Sequence, residues 1–126
     1  MALPISVSEI TAICNLAWQI YKLCQDASGS FKNVSSEVLS LHAVLRQAEE
    51  SLSKTSLSDS RLAGLTTVII GCRDVLGDLE ALVEKYRRLG GKTQRVWDRV
   101  GWHTEDIAEL RLRLVSNIRL LNAFIR

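Results

Sequence analysis

The chain has 126 residues, of which 47% are hydrophobic and 24% are charged, and these proportions exclude a disordered chain and indicate a packed core. A chain of this length is expected to fold as one domain over residues 1–126, because a single core typically holds about 100 to 150 residues. The net charge of +2 favours no class of partner, although twelve of the sixteen Lys and Arg residues lie in residues 61–126.

The first predicted helix begins at Ser6, which stands three positions before Glu9 in the pattern of a capping box. Apolar residues then recur at steps of three and four, and the apolar face is wide. Two interpretations of this face remain open: a central helix that contacts several neighbours, or an amphipathic segment that leaves the bundle and inserts into lipid or an oligomer core when triggered. In the second interpretation the membrane-active side chains are Ile10, Ile13, Leu16, Trp18, Ile20 and Leu23.

The second and third predicted helices carry regular apolar rows over residues 31–52 and 62–86. Residues 51–60 are small and polar, so we predict a loop there. The third helix contains Gly64, Gly71 and Gly77, and each glycine costs about 1 kcal/mol relative to alanine inside a helix. We therefore expect another helix to approach closely at these glycines.

Residues 84–102, from the end of the third predicted helix to the start of the last, are basic and aromatic. Gly90-Gly91 is expected to end the third helix, because glycine tolerates the left-handed conformation at a helix C-terminus. A short extra helix is predicted within residues 93–100. The segment contains two tryptophans, Trp97 and Trp102. Its six bases, named here the basic cluster, are Lys85, Arg87, Arg88, Lys92, Arg95 and Arg99.

Three interpretations of the basic cluster remain open. In the first, the bases favour the dipole of the preceding helix, and Trp97 and Trp102 cover the open end of the bundle. In the second, each base adds about 1 kcal/mol of attraction to anionic lipid headgroups, and the tryptophans lie at the membrane interface. The third is binding of nucleic acid, which the low net charge and the lack of a known nucleic-acid motif disfavour.

The last predicted helix has Thr104 as its N-cap, followed by two acidic residues that favour the helix dipole. Apolar residues recur at helical spacing over residues 107–125, and no segment alternates with period two. The sequence therefore predicts an all-α fold, an antiparallel bundle of four long helices with a short extra helix in the linker before the last one.

Residue types suited to catalysis or metal binding are sparse. No nucleophile elbow, phosphate loop or zinc-binding pattern occurs, and the only histidines, His42 and His103, are far apart. Cys14, Cys24 and Cys72 are too few and wrongly spaced for a disulfide framework. The sequence predicts reduced core cysteines, and no enzyme activity, cofactor, metal or small-molecule substrate.

A cytoplasmic location is expected for this chain. The N-terminus lacks the basic region and the cleavage site of a signal peptide. Polar residues such as Glu9 and Lys22 interrupt residues 5–24, so this segment is not predicted to span a membrane constitutively.

Three stretches carry a family resemblance: AWQIY at residues 17–21, FKNVSSEVLSLHAVL at 31–45 and WHTEDIAELR at 102–111. They resemble the N-terminal domain of fungal NLR-like STAND proteins of the NACHT and ankyrin type, and the resemblance extends over about residues 5–124. Such domains are similar to the HeLo-like group of helical bundles. The resemblance implies a domain in programmed cell death and innate immunity whose first helix is membrane-active and whose basic patch contacts lipid.

Two hypotheses of function follow. The leading one is a non-enzymatic signalling domain that oligomerises when its receptor assembles and engages anionic membrane, to which it is recruited on activation. The alternative is an adaptor bundle that pairs with itself or with another helical signalling domain and never contacts lipid. Neither hypothesis includes a nucleic-acid partner.

Overall fold

The computed structural model of the chain describes residues 6–27, 30–54, 58–88 and 104–125. These ranges contain four helices and no strand: α1 (Val7–Asp26), α2 (Ser30–Lys54), α3 (Asp59–Arg88) and α4 (Thr104–Ile125). The predicted all-α fold of four long helices is confirmed. The short extra helix predicted within residues 93–100 lies outside the described ranges.

The N-terminus of α1 has the cap that the sequence predicts. Ser6 is extended, with φ −100° and ψ 162°, and its hydroxyl accepts a hydrogen bond from the backbone N–H of Glu9 at 3.3 Å. A cap of this kind typically contributes about 1 kcal/mol. At the other end, Ala27 leaves the helix while its N–H still donates to the carbonyl of Leu23 at 3.1 Å.

The predicted loop over residues 51–60 is wrong at both ends, because α2 continues to Lys54 and α3 already begins at Asp59. The hydroxyl of Ser53 donates to the carbonyl of Glu49 at 3.1 Å, so this small polar side chain is satisfied inside the helix. The hydroxyl of Ser58 accepts from the backbone N–H three residues later at 3.4 Å and caps α3. The serine-rich stretch therefore contains a helix end and a helix start.

Residues 89–103, which include three of the six bases of the basic cluster, lie outside the described ranges. The described part of α3 ends at Arg88, so the predicted stop at Gly90-Gly91 stays a prediction. α4 begins at Thr104 itself, so the residue predicted to be its cap is the first helical residue.

The apolar faces of all four helices meet in one hydrophobic core. α1 packs mainly against α2 and also against α3, and α4 packs against α2 and α3. Burying a leucine or isoleucine side chain contributes about 1.5 to 3 kcal/mol, so this core is the main source of stability. Its largest fully buried side chains are Phe31, Ile10, Ile20, Leu41, Leu45, Ile69, Leu76, Leu79, Leu114 and Leu121.

Two of the three glycines in α3 have the close neighbour that we expected. A β-carbon on Gly64 would lie 2.7 Å from Cζ of Phe124, and one on Gly71 would lie 3.1 Å from Oδ1 of Asn117. Both neighbours belong to α4. The expectation is wrong for Gly77, where a β-carbon would meet no described atom within 4 Å.

Candidate interaction site

The last turn of α3 carries the described part of the basic cluster. Lys85 and Arg87 are exposed, and the guanidinium of Arg87 lies 3.4 Å from the carboxylate of Glu84. An exposed pair of this kind contributes at most about 1 kcal/mol, so it competes weakly with another anion. The rest of the predicted site lies outside the described side chains: Arg88, Lys92, Arg95, Arg99, Trp97 and Trp102.

A buried aromatic pair holds this turn in place. Tyr86 stands between the two exposed bases in the sequence. The centroid of its ring lies 5.1 Å from the ring centroid of Phe31, in the first turn of α2. Tilted aromatic pairs at this distance add about 0.5 to 1.5 kcal/mol beyond their buried area. Lys32, which follows Phe31, is also exposed. Three exposed cations, Lys32, Lys85 and Arg87, therefore lie at one end of the bundle.

Most of the predicted membrane-active face of α1 belongs to the core. Trp18 is the exception, with 42% of its surface exposed. The structure therefore separates Trp18 from the other side chains of this set. Those that pack into or against the core are Ile10, Ile13, Leu16, Ile20 and Leu23.

An aromatic patch that the sequence analysis missed crosses from α1 to α2. The indole ring of Trp18 lies 5.2 Å from the ring of Tyr21 and 5.3 Å from the imidazole of His42, measured between centroids. Leu39, one turn before His42 on α2, is 39% exposed. We name Trp18, Tyr21, Leu39 and His42 the aromatic patch. Its residue types were visible in the sequence, but joining them required the packing of α1 on α2.

Charged side chains of both signs border the aromatic patch. Lys22 lies one turn after Trp18 and Arg46 lies one turn after His42, and Asp26 and Glu49 follow these two bases by about one further turn. Burial lowers the pKa of His42, and the nearby charge of Arg46 lowers it further. Because an ordinary histidine titrates near about 6.5, His42 is neutral at pH 7. The patch is therefore an uncharged aromatic surface whose edges carry both bases and acids.

The outer face of α4 carries a second set of exposed apolar side chains. Leu112 is 72% exposed and Leu120, two turns later, is 49% exposed. A single exposed leucine is ordinary on a protein surface. Two on one side of a helix form a small apolar surface that the core does not use.

An ion pair ties α4 to α2. Nε of Arg111 donates to Oε1 of Glu37 at 2.9 Å, and a terminal guanidinium nitrogen donates to the same oxygen. Burial alone would raise the pKa of Glu37, but hydrogen bonds from Arg111 and Ser36 outweigh it and hold the pKa below its usual 4.5. The pair therefore stabilises the folded state while Glu37 is ionised.

Glu37→Gln is expected to lower the free energy of unfolding at neutral pH by about 1 to 2 kcal/mol, because hydrogen bonds to charged groups contribute about 1.5 to 3 kcal/mol and Arg111 is partly screened by solvent. The folded pKa is depressed, so the contribution is complete above the unfolded pKa and is lost as the pH falls through the folded pKa. Urea denaturation of the variant and the wild type, at neutral pH and at about pH 3, measures the difference in their free energies of unfolding. If the free energy of unfolding of the variant differed from that of the wild type by the same amount at both pH values, the ionised pair of Glu37 and Arg111 would not be the source of the stability.

The three cysteines of the chain lie in the described helices. Cys14, Cys24 and Cys72 are buried free thiols, as predicted, and burial raises their pKa values to about 11, 12 and 12 respectively. They stay protonated at neutral pH and are poor nucleophiles. Within the described ranges, no group of three or more His, Cys, Asp or Glu is arranged to hold a metal ion. None of the described helices combines the length and the hydropathy of a transmembrane span.

Comparison of the chain with protein-family models, curated proteins and solved structures gives no match. The family resemblance therefore stays a prediction that rests on three stretches of sequence.

Proposed function

We propose that this chain is a non-enzymatic signalling domain that oligomerises and engages anionic membrane, and that it is the N-terminal effector domain of a fungal NLR-like receptor in programmed cell death. The resemblance of three sequence stretches supports the family. The membrane part rests on one observation, the exposed cations Lys32, Lys85 and Arg87 at one end of the bundle. Each base near an anionic surface adds about 1 kcal/mol of attraction, and Lys92, Arg95 and Arg99 follow in sequence.

In this proposal α1 is the effector, and it stays in the core until the receptor assembles. Ile10, Ile13 and Ile20 are at most 5% exposed. Exposing each one costs about 1.5 to 3 kcal/mol, so releasing all three costs about 5 to 9 kcal/mol. That is comparable with the whole stability of a small domain, about 5 to 15 kcal/mol. Release of α1 therefore needs oligomer or membrane contacts that offset this cost.

We also propose that helices that follow each other in the chain run antiparallel. For α1 and α2 this is supported by two contacts at opposite ends of the pair. The hydroxyl of Thr11, early in α1, donates to the carboxylate of Glu49, late in α2. The amide of Gln25, late in α1, donates to the hydroxyl of Ser35, early in α2, at 3.3 Å.

The same arrangement is supported for α3 and α4. The guanidinium of Arg61, early in α3, donates to the carbonyl of Phe124, late in α4, at 2.8 Å. The guanidinium of Arg113, in the first half of α4, donates to the carboxylate of Asp78 in the second half of α3 at 2.8 Å. A short helix within residues 93–100 would complete the connection between them.

Co-sedimentation with vesicles tests the membrane proposal. We expect the chain to sediment with vesicles that contain phosphatidylserine and to stay in solution with phosphatidylcholine alone. Glutamine at all six positions of the basic cluster is expected to weaken binding by at least about a hundredfold, because each base contributes about 1 kcal/mol.

Two matched triple variants locate the contact. Lys32→Gln, Lys85→Gln and Arg87→Gln together should weaken vesicle binding. Three exposed bases elsewhere serve as the control, with the same change of net charge: Lys54→Gln, Arg73→Gln and Arg119→Gln. Binding that needs no anionic lipid, or that both triples weaken equally, would refute the membrane contact.

The second candidate function is an adaptor bundle that pairs with itself or with another helical domain without lipid. The exposed Leu112 and Leu120 on α4 favour it, because apolar side chains two turns apart on one helix fit a helical partner. Light scattering of the free chain over a concentration series separates the two functions. Assembly without vesicles favours the adaptor, whereas a monomer that binds only anionic vesicles favours the membrane function.

A further inference from the structure

An open groove with a volume of about 360 Å³ lies between α2 and α4. Ligand pockets in proteins typically have volumes of about 300 to 1,000 Å³, so this groove has room for a small molecule. It shares no residue with the basic cluster or with the aromatic patch. The residues that line the groove are Ser36, Glu37, Ser40, Val115, Ile118 and Arg119.

The carboxylate of Glu37 lines the groove but is already engaged by the protein itself. Nε of Arg111 donates to its Oε1 at 2.9 Å, and the hydroxyl of Ser36 donates to its Oε2 at 2.9 Å. Arg111 also neutralises the charge of Glu37. This carboxylate therefore neither attracts a cation to the groove nor cancels another positive charge there.

Arg119 brings a second guanidinium to the groove, two turns after Arg111 on α4. The two positions are separated by about 12 Å along the helix at roughly 1.5 Å per residue. No carboxylate of the described residues forms an ion pair with Arg119. Glu37 is the only acidic residue in residues 33–47 of α2 and 111–122 of α4. The positive charge of Arg119 is therefore not compensated by the two helices that form the groove.

Apolar side chains line the groove beside Arg119. Val115 and Ile118 are half-buried, and Ile118 also packs against the core. Ser40 lines the same groove from α2 and is exposed, and a serine hydroxyl can donate one hydrogen bond. The groove thus joins an uncompensated cation and a hydroxyl donor to an apolar surface, the combination that is typical of a small-molecule site.

We propose that the groove between α2 and α4 binds a small amphiphilic monocarboxylate. The carboxylate pairs with the guanidinium of Arg119 and accepts a hydrogen bond from Ser40, while the apolar body of the ligand covers Val115 and Ile118. A guanidinium suits a carboxylate because its parallel N–H donors match the two oxygens. A single uncompensated cation favours one negative charge over the two of a phosphate monoester, and the apolar side chains favour a ligand with a hydrocarbon part.

The test uses the full chain and sodium octanoate, with octanamide as the uncharged counterpart of the same length. In an NMR titration, octanoate is expected to shift the signals of Val115, Ile118 and Arg119. We expect octanoate to bind at least about tenfold more tightly than octanamide, because only the carboxylate forms a charge-assisted pair. Butanoate should bind at least about tenfold more weakly than octanoate, because it buries fewer methylene groups.

Arg119→Gln is expected to remove the preference for octanoate over octanamide. Arg119 is exposed, so its replacement should not disturb folding, and far-UV circular dichroism checks this. Arg73→Gln makes the same change of net charge at an exposed position of α3. This control should bind octanoate as the wild type does.

Any of three results would overturn the proposal. The first is that octanoate, kept below the concentration at which it forms micelles, does not bind or binds no more tightly than octanamide. The second is a preference for octanoate that survives Arg119→Gln or that Arg73→Gln removes equally. The third is a set of shifts centred on Trp18 instead of the groove. The six glutamine substitutions of the basic cluster change no residue of the groove, so loss of vesicle binding in that variant would leave octanoate binding unchanged.

Discussion

Replacing Phe31 with alanine is expected to lower the free energy of unfolding by about 3 to 5 kcal/mol. Phe31 is among the largest fully buried side chains, with 1% of its surface exposed. Its ring lies 5.1 Å from that of Tyr86, between centroids, and joins the start of α2 to the end of α3. The alanine variant loses the buried area and the aromatic pair, and it leaves a cavity that the helices fill only partly.

Urea denaturation followed by far-UV circular dichroism measures this loss. Leu112→Ala is the control, because Leu112 is also a large apolar side chain in a helix but is 72% exposed. The control is expected to change the free energy of unfolding by less than about 0.5 kcal/mol. Similar losses in the two variants would mean that Phe31 does not occupy the core.

Ile20→Asp is expected to lower the free energy of unfolding by at least about 4 kcal/mol, which is enough to unfold a chain of marginal stability. Ile20 has 0% of its side chain exposed, so an aspartate there either buries a carboxylate among apolar side chains or forces α1 out of the core. The same substitution two positions earlier, Trp18→Asp, leaves the new carboxylate in contact with solvent. We expect it to cost less than about 1.5 kcal/mol.

Far-UV circular dichroism and size-exclusion chromatography of the two aspartate variants measure the contrast. Ile20→Asp should lose helical signal and elute as an expanded chain, and Trp18→Asp should retain both properties of the wild type. If Trp18→Asp were the more damaging variant, the opposite side of α1 would face the core.

Apolar spacing predicted the core well because it maps directly onto one side of a helix. In α2, Val38, Leu41 and Leu45 stand at steps of three and four, and all three are fully buried. The same spacing could not locate the end of α2. There Leu52 packs against the core and Ser53 bonds back to the helix, and these tertiary and local contacts override the weak preference of a serine-rich stretch for a loop.

The position of Trp18 could have been predicted from the helix itself. At about 100° per residue, Trp18 lies roughly 160° around α1 from Ile20, and hence away from the core. The aromatic patch as a whole could not have been predicted from the sequence. Trp18 and His42 are distant in the sequence, and their rings meet only because of the register in which α1 packs on α2. For Gly77 the prediction of a close helix contact was wrong, because a β-carbon at this position of α3 would meet no described neighbour within 4 Å.

Native-state hydrogen exchange of the free chain tests most directly the central claim that α1 is part of the core. We predict that the backbone amides at the centre of α1, around Ile13 and Ala17, are protected as strongly as those around Leu41 in α2, because both segments exchange only when the whole core opens. Fast exchange across α1 with strong protection in the other helices would contradict this claim.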